Sequence, residues 1–271
     1  SPTGHLHLGH AASALAGWQA ARQGGGRFLL RIEDIDRTRC KAAFEMAILE
    51  DLAWLGLAWE EPVRRQSDHM ADYAAALARL DQLGVIYPCF CTRKEIEAEI
   101  AAAASAPHGP DGPLYPGTCR SLPAAEREAR MARGLPYALR LEARKAADLV
   151  GPLTWIEEGR GTIAVAPLTL GDAVLARKDV AASYHLAVVH DDDLQGVTLV
   201  TRGEDLFHAT HLHRLLQALL GLSVPAYRHH PLLTAADGRR LAKRDGALSL
   251  RALREAGCAP AAVREVAGFP D

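Results

Sequence analysis

Three histidines and two glycines stand in the opening stretch SPTGHLHLGH: His5, His7 and His10, with Gly4 and Gly9 between them. Histidines at i, i+2 and i+5 reach one metal ion only if the loop wraps around it. No cysteine or carboxylate in the first 30 residues completes such a site. A phosphate loop is the better chemistry. Gly4 and Gly9 let backbone approach a ligand closely. The free N–H groups and dipole of a helix starting near His10 favour an anion. The imidazoles of His7 and His10 can donate to phosphate oxygens that gain charge in a transition state. His5 receives no task from this pattern.

A second cationic element lies far along the chain, in GRRLAKRDG (238–246). Arg239, Arg240, Lys243 and Arg244 sit there between Gly238 and Gly246. Alone, such a cluster reads as a solvated basic turn. A third constellation is Cys89-x-Cys91 followed by Cys119, on a segment dense in proline and glycine. Three thiolates within about 30 residues suit a closed, structural, tetrahedral zinc site; the alternative is three free thiols acting as small hydrophobes. His108 and Tyr115 are both available as a fourth ligand, and His108 is the chemically more usual one.

These groups need elements to position them. Residues 11–23 are alanine-rich and stop at Gly24–Gly26, which predicts a helix after the histidine loop. RFLLRI (27–32) is a strand-length apolar run followed by the acidic EDID. Loop, helix and strand thus follow the order of a βαβ unit whose first strand precedes Ser1. Helices are predicted over 41–55 and 68–84, and a Thr92-x-x-Glu95 capping box opens another. YALRL (137–141) returns to strand; GDAVLAR, YHLAVVH and GVTLVTRG are further apolar runs; a helix is expected at about 205–220 and two short ones within 249–267. The alternation implies an α/β fold with a mainly parallel sheet.

The chain has 271 residues, 49% hydrophobic, with net charge −2. The balance gives no whole-molecule attraction to nucleic acid, so RNA contact would need a local basic patch. The basic stretches 64–66, 92–94 and 126–133 are read as solvated charge. No apolar run approaches the ~20 residues that span a bilayer. Five cysteines, an odd number, fit a reducing, cytoplasmic compartment, with Cys40 and Cys258 as structural bystanders.

Taken together, HLGH early and RLAKR late resemble the two signatures of the class I aminoacyl-tRNA synthetases. SPTGHLHLGHAASA, RFLLRIEDIDRTR, GDAVLARKDVAASYHLAVVHDDDLQGVTLVTRGEDLFHAT and HHPLLTAADGRRLAKRDGA are similar to the glutamyl-tRNA synthetase group over nearly the whole chain. Within it, YPCFCTR and YPGTCR resemble most the paralogues that lack an anticodon-binding domain, and the 27 residues after Arg244 leave no room for one. The resemblance implies a Rossmann-like, parallel-sheet class I catalytic domain with a small zinc-binding insertion and a short C-terminal helical segment. The expected divisions are 1–84 and 136–247 for the catalytic domain, 85–135 for the insertion and 248–271 for the C-terminal segment.

The same resemblance implies activation of glutamate with ATP and Mg²⁺. Transfer of glutamate to queuosine in the anticodon loop of tRNA(Asp) would follow, with a glutamyl-tRNA synthetase catalytic part as the alternative. It assigns His7, Gly9, His10, Lys243 and Arg244 to ATP, with His7, His10 and Lys243 catalytic. It assigns Ser1, Glu33, Tyr184 and Arg202 to glutamate, and Cys89, Cys91, Tyr115 and Cys119 to structural Zn²⁺. The residues themselves also allow Glu33 to pair with Arg31 or Arg37, and Arg202 with Glu204 or Asp205. Ser1 matches the last residue of the family motif Arg-Phe-Ala-Pro-Ser, so the motif's arginine is expected upstream. Ala242 stands where the family's lysine loop usually carries serine. A monomer with no membrane association is expected.

Overall fold

The computed structural model describes residues 1–102, 108–110, 112–178, 180–233 and 249–270, with backbone alone at Ala102 and His108. Its helices are α1 (Leu8–Gln23), α2 (Ala42–Trp54), α3 (Met70–Gln82), α4 (Arg93–Ala102), α5 (Ala124–Ala132), α6 (Ala143–Val150), α7 (Tyr184–Leu194), α8 (Ala209–Leu220), α9 (Leu250–Glu255) and α10 (Pro260–Val266). Its strands are β1 (Leu29–Ile32), β2 (Glu60–Arg65), β3 (Ile86–Cys89), β4 (His108–Gly109), β5 (Gly112–Pro113), β6 (Ala138–Leu141), β7 (Thr154–Glu157), β8 (Gly161–Ala164), β9 (Val174–Arg177), β10 (Leu199–Gly203) and β11 (Ala226–His230). The chain divides into two compact units. One comprises Ser1–Asp68, Leu199–Leu206 and Tyr227–Asp271; the other comprises His69–Thr198 and Phe207–Ala226.

In the first unit β1, α2 and β2 form a βαβ element. The strands pair in parallel, with Leu29 opposite Glu60 and Ile32 opposite Arg65. Parallel strands need a crossover of this length, and α2 supplies it. Ala11, Ala12 and Leu15 of α1 join Ile48, Leu52, Leu55 and Leu57 from α2 and the turn after it in one core. The small residues of α1 allow close packing: a Cβ on Gly17 would stand 2.8 Å from Thr201 Oγ1 and 3.1 Å from Phe28 Cε2. Strand β10, which carries Thr201 and Arg202, pairs with β11. The C-terminal helices belong to this core rather than trailing from it. Leu250, Val263 and Ala267 are buried in it, and the Leu250 N–H donates to the Leu6 carbonyl of the opening loop at 2.8 Å. Ser249 caps α9 by accepting from the Ala252 N–H.

The second unit is built on an antiparallel ladder. β3 pairs with β6, Ile86 opposite Leu141 and Cys89 opposite Ala138, and β6 pairs with β9. β7 and β8 form a hairpin. Leu80, Leu141, Leu175, Leu186, Leu215 and Leu216, all fully buried, form its core with neighbours from α3, α7 and α8. The apolar run YHLAVVH is the start of α7: Ser183 caps it by accepting from the Leu186 N–H, and Leu186, Ala187, Val188 and Val189 are buried. The capping box before α4 forms as expected, with Thr92 N donating to Glu95 Oε2 at 2.6 Å and Glu95 N to Thr92 Oγ1 at 3.2 Å.

Candidate functional site

His7 is the N-cap of α1, in extended backbone conformation. Its N–H donates to His10 Nδ1 at 3.2 Å, and the two rings lie 3.8 Å apart between centroids. This bond fixes chemistry. Nδ1 of His10 is the acceptor, so the proton of the neutral ring sits on Nε2, at the far side, where it can be donated. Gly9 makes the arrangement possible: a Cβ there would stand 3.2 Å from His7 Cε1 and 3.4 Å from His7 Nδ1. The helix start and two imidazoles are thus brought together within the four consecutive positions 7–10.

His5 turns away from this pair. Its ring meets Phe44 of α2 edge-on at 5.1 Å. Its Nδ1 is buried without a hydrogen-bond partner among the described residues.

Of the acidic EDID, two residues are used structurally. Asp34 accepts from Ser67 N at 2.8 Å and Ser67 Oγ at 2.6 Å, tying the end of β1 to the end of β2. Asp36 accepts from Thr38 Oγ1 at 2.6 Å, which, against the opposing effect of burial, holds its carboxyl below the ordinary value. Glu33 makes a loose contact of 3.8 Å with Arg31 Nη2, so the ion pair allowed by the sequence is present only at long range. Ser1 is exposed at the start of the chain.

Arg202 is 7% exposed on β10. Its Nε donates to His229 Nε2 at 3.0 Å, and its guanidinium lies 5.2 Å from the centroid of the Tyr227 ring. The Tyr227 and His229 rings stack at an interplanar angle of 8°. Sequence reasoning missed these two residues. Their signal was the alternation along β11, which sets positions 227 and 229 on one face. Tyr184, in the second unit, is 36% exposed at the first turn of α7, with its ring against His185 and His213.

The cysteines converge. Cys91 Sγ lies 3.3 Å from Cys119 Sγ, and Tyr115 Oη lies 3.3 Å from Cys89 Sγ and 3.5 Å from Cys91 Sγ. The three sulfurs all fall within 4.8 Å of one another. Ligand atoms around a tetrahedral zinc with about 2.3 Å bonds stand about 3.8 Å apart, so these donors fit the ion with small adjustments. Cys119 N donates to Tyr115 Oη at 2.8 Å and Phe90 N to Cys119 Sγ at 3.3 Å, which aims backbone N–H groups at atoms that become anionic ligands. Burial pushes the Cys91 thiol up to about 12. Cys119 is also pushed up by burial, but the hydrogen bonds from Phe90 and Cys91 outweigh it and bring it below its ordinary value. The His108 side chain, the rival fourth ligand, lies outside the described residues.

A buried carboxylate ties this lobe to the ladder. Asp172 accepts from Tyr87 Oη at 2.5 Å, Arg120 Nη1 at 2.8 Å and Ala143 N at 3.0 Å. Arg140 donates to the Asp172 carbonyl and stacks 3.9 Å over the Tyr115 ring. Lys243 and Arg244, together with Arg239, Arg240 and Ala242, lie outside the described residues.

No described helix is long and apolar enough to cross a membrane. Residues 1–268 match the family model for tRNA synthetases class I (E and Q), catalytic domain. The chain is 50% identical to the Glutamyl-Q tRNA(Asp) synthetase of Rhodobacter capsulatus, over 99% of this chain and 98% of that protein. It is 47% identical to the Glutamyl-Q tRNA(Asp) synthetase of Nocardia farcinica, over 96% of this chain and 79% of that one. Its fold superimposes on a glutamate tRNA ligase from Elizabethkingia meningosepticum, solved in complex with its amino acid. The TM-score is 0.81 at 30% identity, covering 98% of this chain and 58% of that one.

Proposed function

The chain belongs to the class I tRNA synthetases of the glutamate and glutamine group, which are ATP-using ligases, and from that membership we propose that it activates glutamate and transfers it to queuosine in the anticodon loop of tRNA(Asp). What carries the reading is the near end-to-end match to a Glutamyl-Q tRNA(Asp) synthetase, 98% of whose length the chain covers. The glutamate tRNA ligase likeness supports glutamate as the amino acid, while the chain spans only 58% of that ligase.

In the first step a glutamate carboxylate oxygen attacks the α-phosphorus of ATP. Glutamyl-adenylate forms and pyrophosphate leaves. No protein nucleophile is needed, so catalysis is positioning plus stabilisation of charge. The Nε2–H of His10 and the ring of His7 face the phosphates together with the first N–H groups of α1. Lys243, helped by Arg244, neutralises the leaving pyrophosphate, and Mg²⁺ accompanies the nucleotide. Glu33 takes the ammonium of glutamate and Arg202 a carboxylate; Ser1 and Tyr184 complete its contacts. Arg202 suits the task because His229 and Tyr227 hold its guanidinium from behind, leaving its planar fork defined in direction. Zn²⁺ would be held by Cys89, Cys91, Cys119 and Tyr115, and would supply structure to the 85–135 insertion rather than chemistry. The catalytic domain is read as 1–84 with 136–247, followed by the helical segment 248–271, in a cytoplasmic monomer.

The test is glutamate-dependent ATP–pyrophosphate exchange, then transfer of labelled glutamate to tRNA(Asp) bearing queuosine or to tRNA(Glu). Exchange without tRNA and labelling of tRNA(Asp) alone are expected. Labelling of tRNA(Glu) instead would make the chain the catalytic part of a glutamyl-tRNA synthetase. Lys243→Ala is expected to slow exchange about 10²–10³-fold, the loss typical of one preorganised charge contact.

A further inference from the structure

Helix α8 carries a buried polar stripe. Thr210 and Gln217 are fully buried and His213 is 1% exposed, at spacing i, i+3 and i+7. An interface helix normally presents apolar residues at these positions, and buried polar groups must find partners. His213 finds one on α7. His185 Nδ1 and His213 Nε2 lie 3.0 Å apart, close enough that one ring donates and the other accepts. The two rings are 5.2 Å apart between centroids.

The bond sits at a particular place. Ser183 caps α7, Tyr184 is its first residue and His185 its second. Tyr184 turns a 36% exposed ring outward, and the two histidines back it, at 5.5 Å for His185 and 5.8 Å for His213. A buried side chain on one helix therefore grips the first turn of another, immediately beside the aromatic residue that turn displays.

We infer that His213, through its hydrogen bond to His185, is a positioning residue that sets where Tyr184 stands in the glutamate site. This rests on the assignment of Tyr184 to glutamate made above. His213 acts through its neighbours and need not touch substrate. Its Nε2 is the atom that matters, so an apolar residue in its place deprives the half-buried His185 Nδ1 of this partner. The first turn of α7 then settles elsewhere. A glutamine can restore the bond, because its terminal amide reaches about as far as Nε2 and can either donate or accept.

The experiment is glutamate-dependent ATP–pyrophosphate exchange by the full chain, varying glutamate and ATP separately, for His213→Leu, His213→Gln and His185→Phe. Far-ultraviolet circular dichroism and thermal melts accompany each variant. His213→Leu and His185→Phe are expected to raise KM for glutamate about tenfold, the order set by one buried hydrogen bond, with KM for ATP unchanged. His213→Gln is expected to return KM for glutamate to within about twofold of the parent. Equal losses toward glutamate and ATP, or a His213→Leu protein that melts normally and keeps its KM for glutamate, would overturn the inference. If His213→Leu does not fold, the contrast between His185→Phe and His213→Gln decides alone. Failure of the parent chain to exchange at all with glutamate would instead remove the assignment of Tyr184, so the two failures are distinguishable.

Discussion

A methyl group on Gly9 would come within 3.2 Å of His7 Cε1, closer than the ring can accept without moving. The His7 ring must then shift by a few tenths of an ångström, which disturbs its placement 3.8 Å from the His10 ring. Gly9→Ala is therefore expected to lower exchange activity about tenfold or more with little change in melting temperature. Alanine suits a helix better than glycine by about 1 kcal/mol, so a large loss of stability would show that packing, not the phosphate loop, requires the glycine. This loop was legible in the sequence because all its parts are local: the glycines, the histidines and the helix start follow one another. The support of Arg202 was not. His229 and Tyr227 are far from it along the chain, and only strand pairing brings them under it. The EDID stretch was legible only as acidic; that Asp34 is taken up by Ser67 depends on the parallel pairing of β1 and β2.

At the scale of elements, α2 contains an expensive residue. Asp51 is fully buried, and neither carboxylate oxygen accepts a hydrogen bond from a described residue. Arg254 of α9 approaches to 3.5 Å and is itself paired with Glu50 at 3.0 Å. Burial raises the Asp51 carboxyl above its ordinary value, outweighing the opposing effect of Arg254. The sign follows: with the folded value above the unfolded one, the carboxyl costs nothing at pH below both and costs most at pH above both. Asp51→Asn is expected to stabilise the chain at neutral pH, by roughly 2–4 °C in Tm for each kcal/mol relieved. The gain should shrink as pH falls through the carboxylate range. Melting curves of both proteins from pH 4 to pH 7.5 check it, and a constant difference would exclude the carboxyl as its source. Among the elements, apolar runs were the hard case. YHLAVVH is too short to reveal a period, and strand and helix both bury such a run. Ser183, three residues before a backbone N–H it caps, was the available signal.

At the scale of the whole molecule, the chain builds two cores of different kinds, one around a parallel βαβ element and one on an antiparallel ladder. The sequence alternation made the first legible. The second depends on pairings such as Tyr87 with Asp172, 85 residues apart, which no local pattern announces. The metal lobe hangs on that same carboxylate through Arg120, so its order and the ladder's are joined.

The cysteine cluster has one more consequence, for how the protein ages. With Cys91 and Cys119 sulfurs 3.3 Å apart, and the Cys119 thiol the more easily deprotonated of the two, a metal-stripped chain holds two thiols that molecular oxygen can join as a disulfide, taking up their two electrons and two protons as hydrogen peroxide. Zinc at that place would be a guard against air. Chelation under oxygen is expected to remove two hydrogens, a loss of about 2 Da, from a peptide pair joined through Cys91 and Cys119, while Cys40 and Cys258 stay free. Mass spectrometry after zinc is restored would then find chains that no longer accept it.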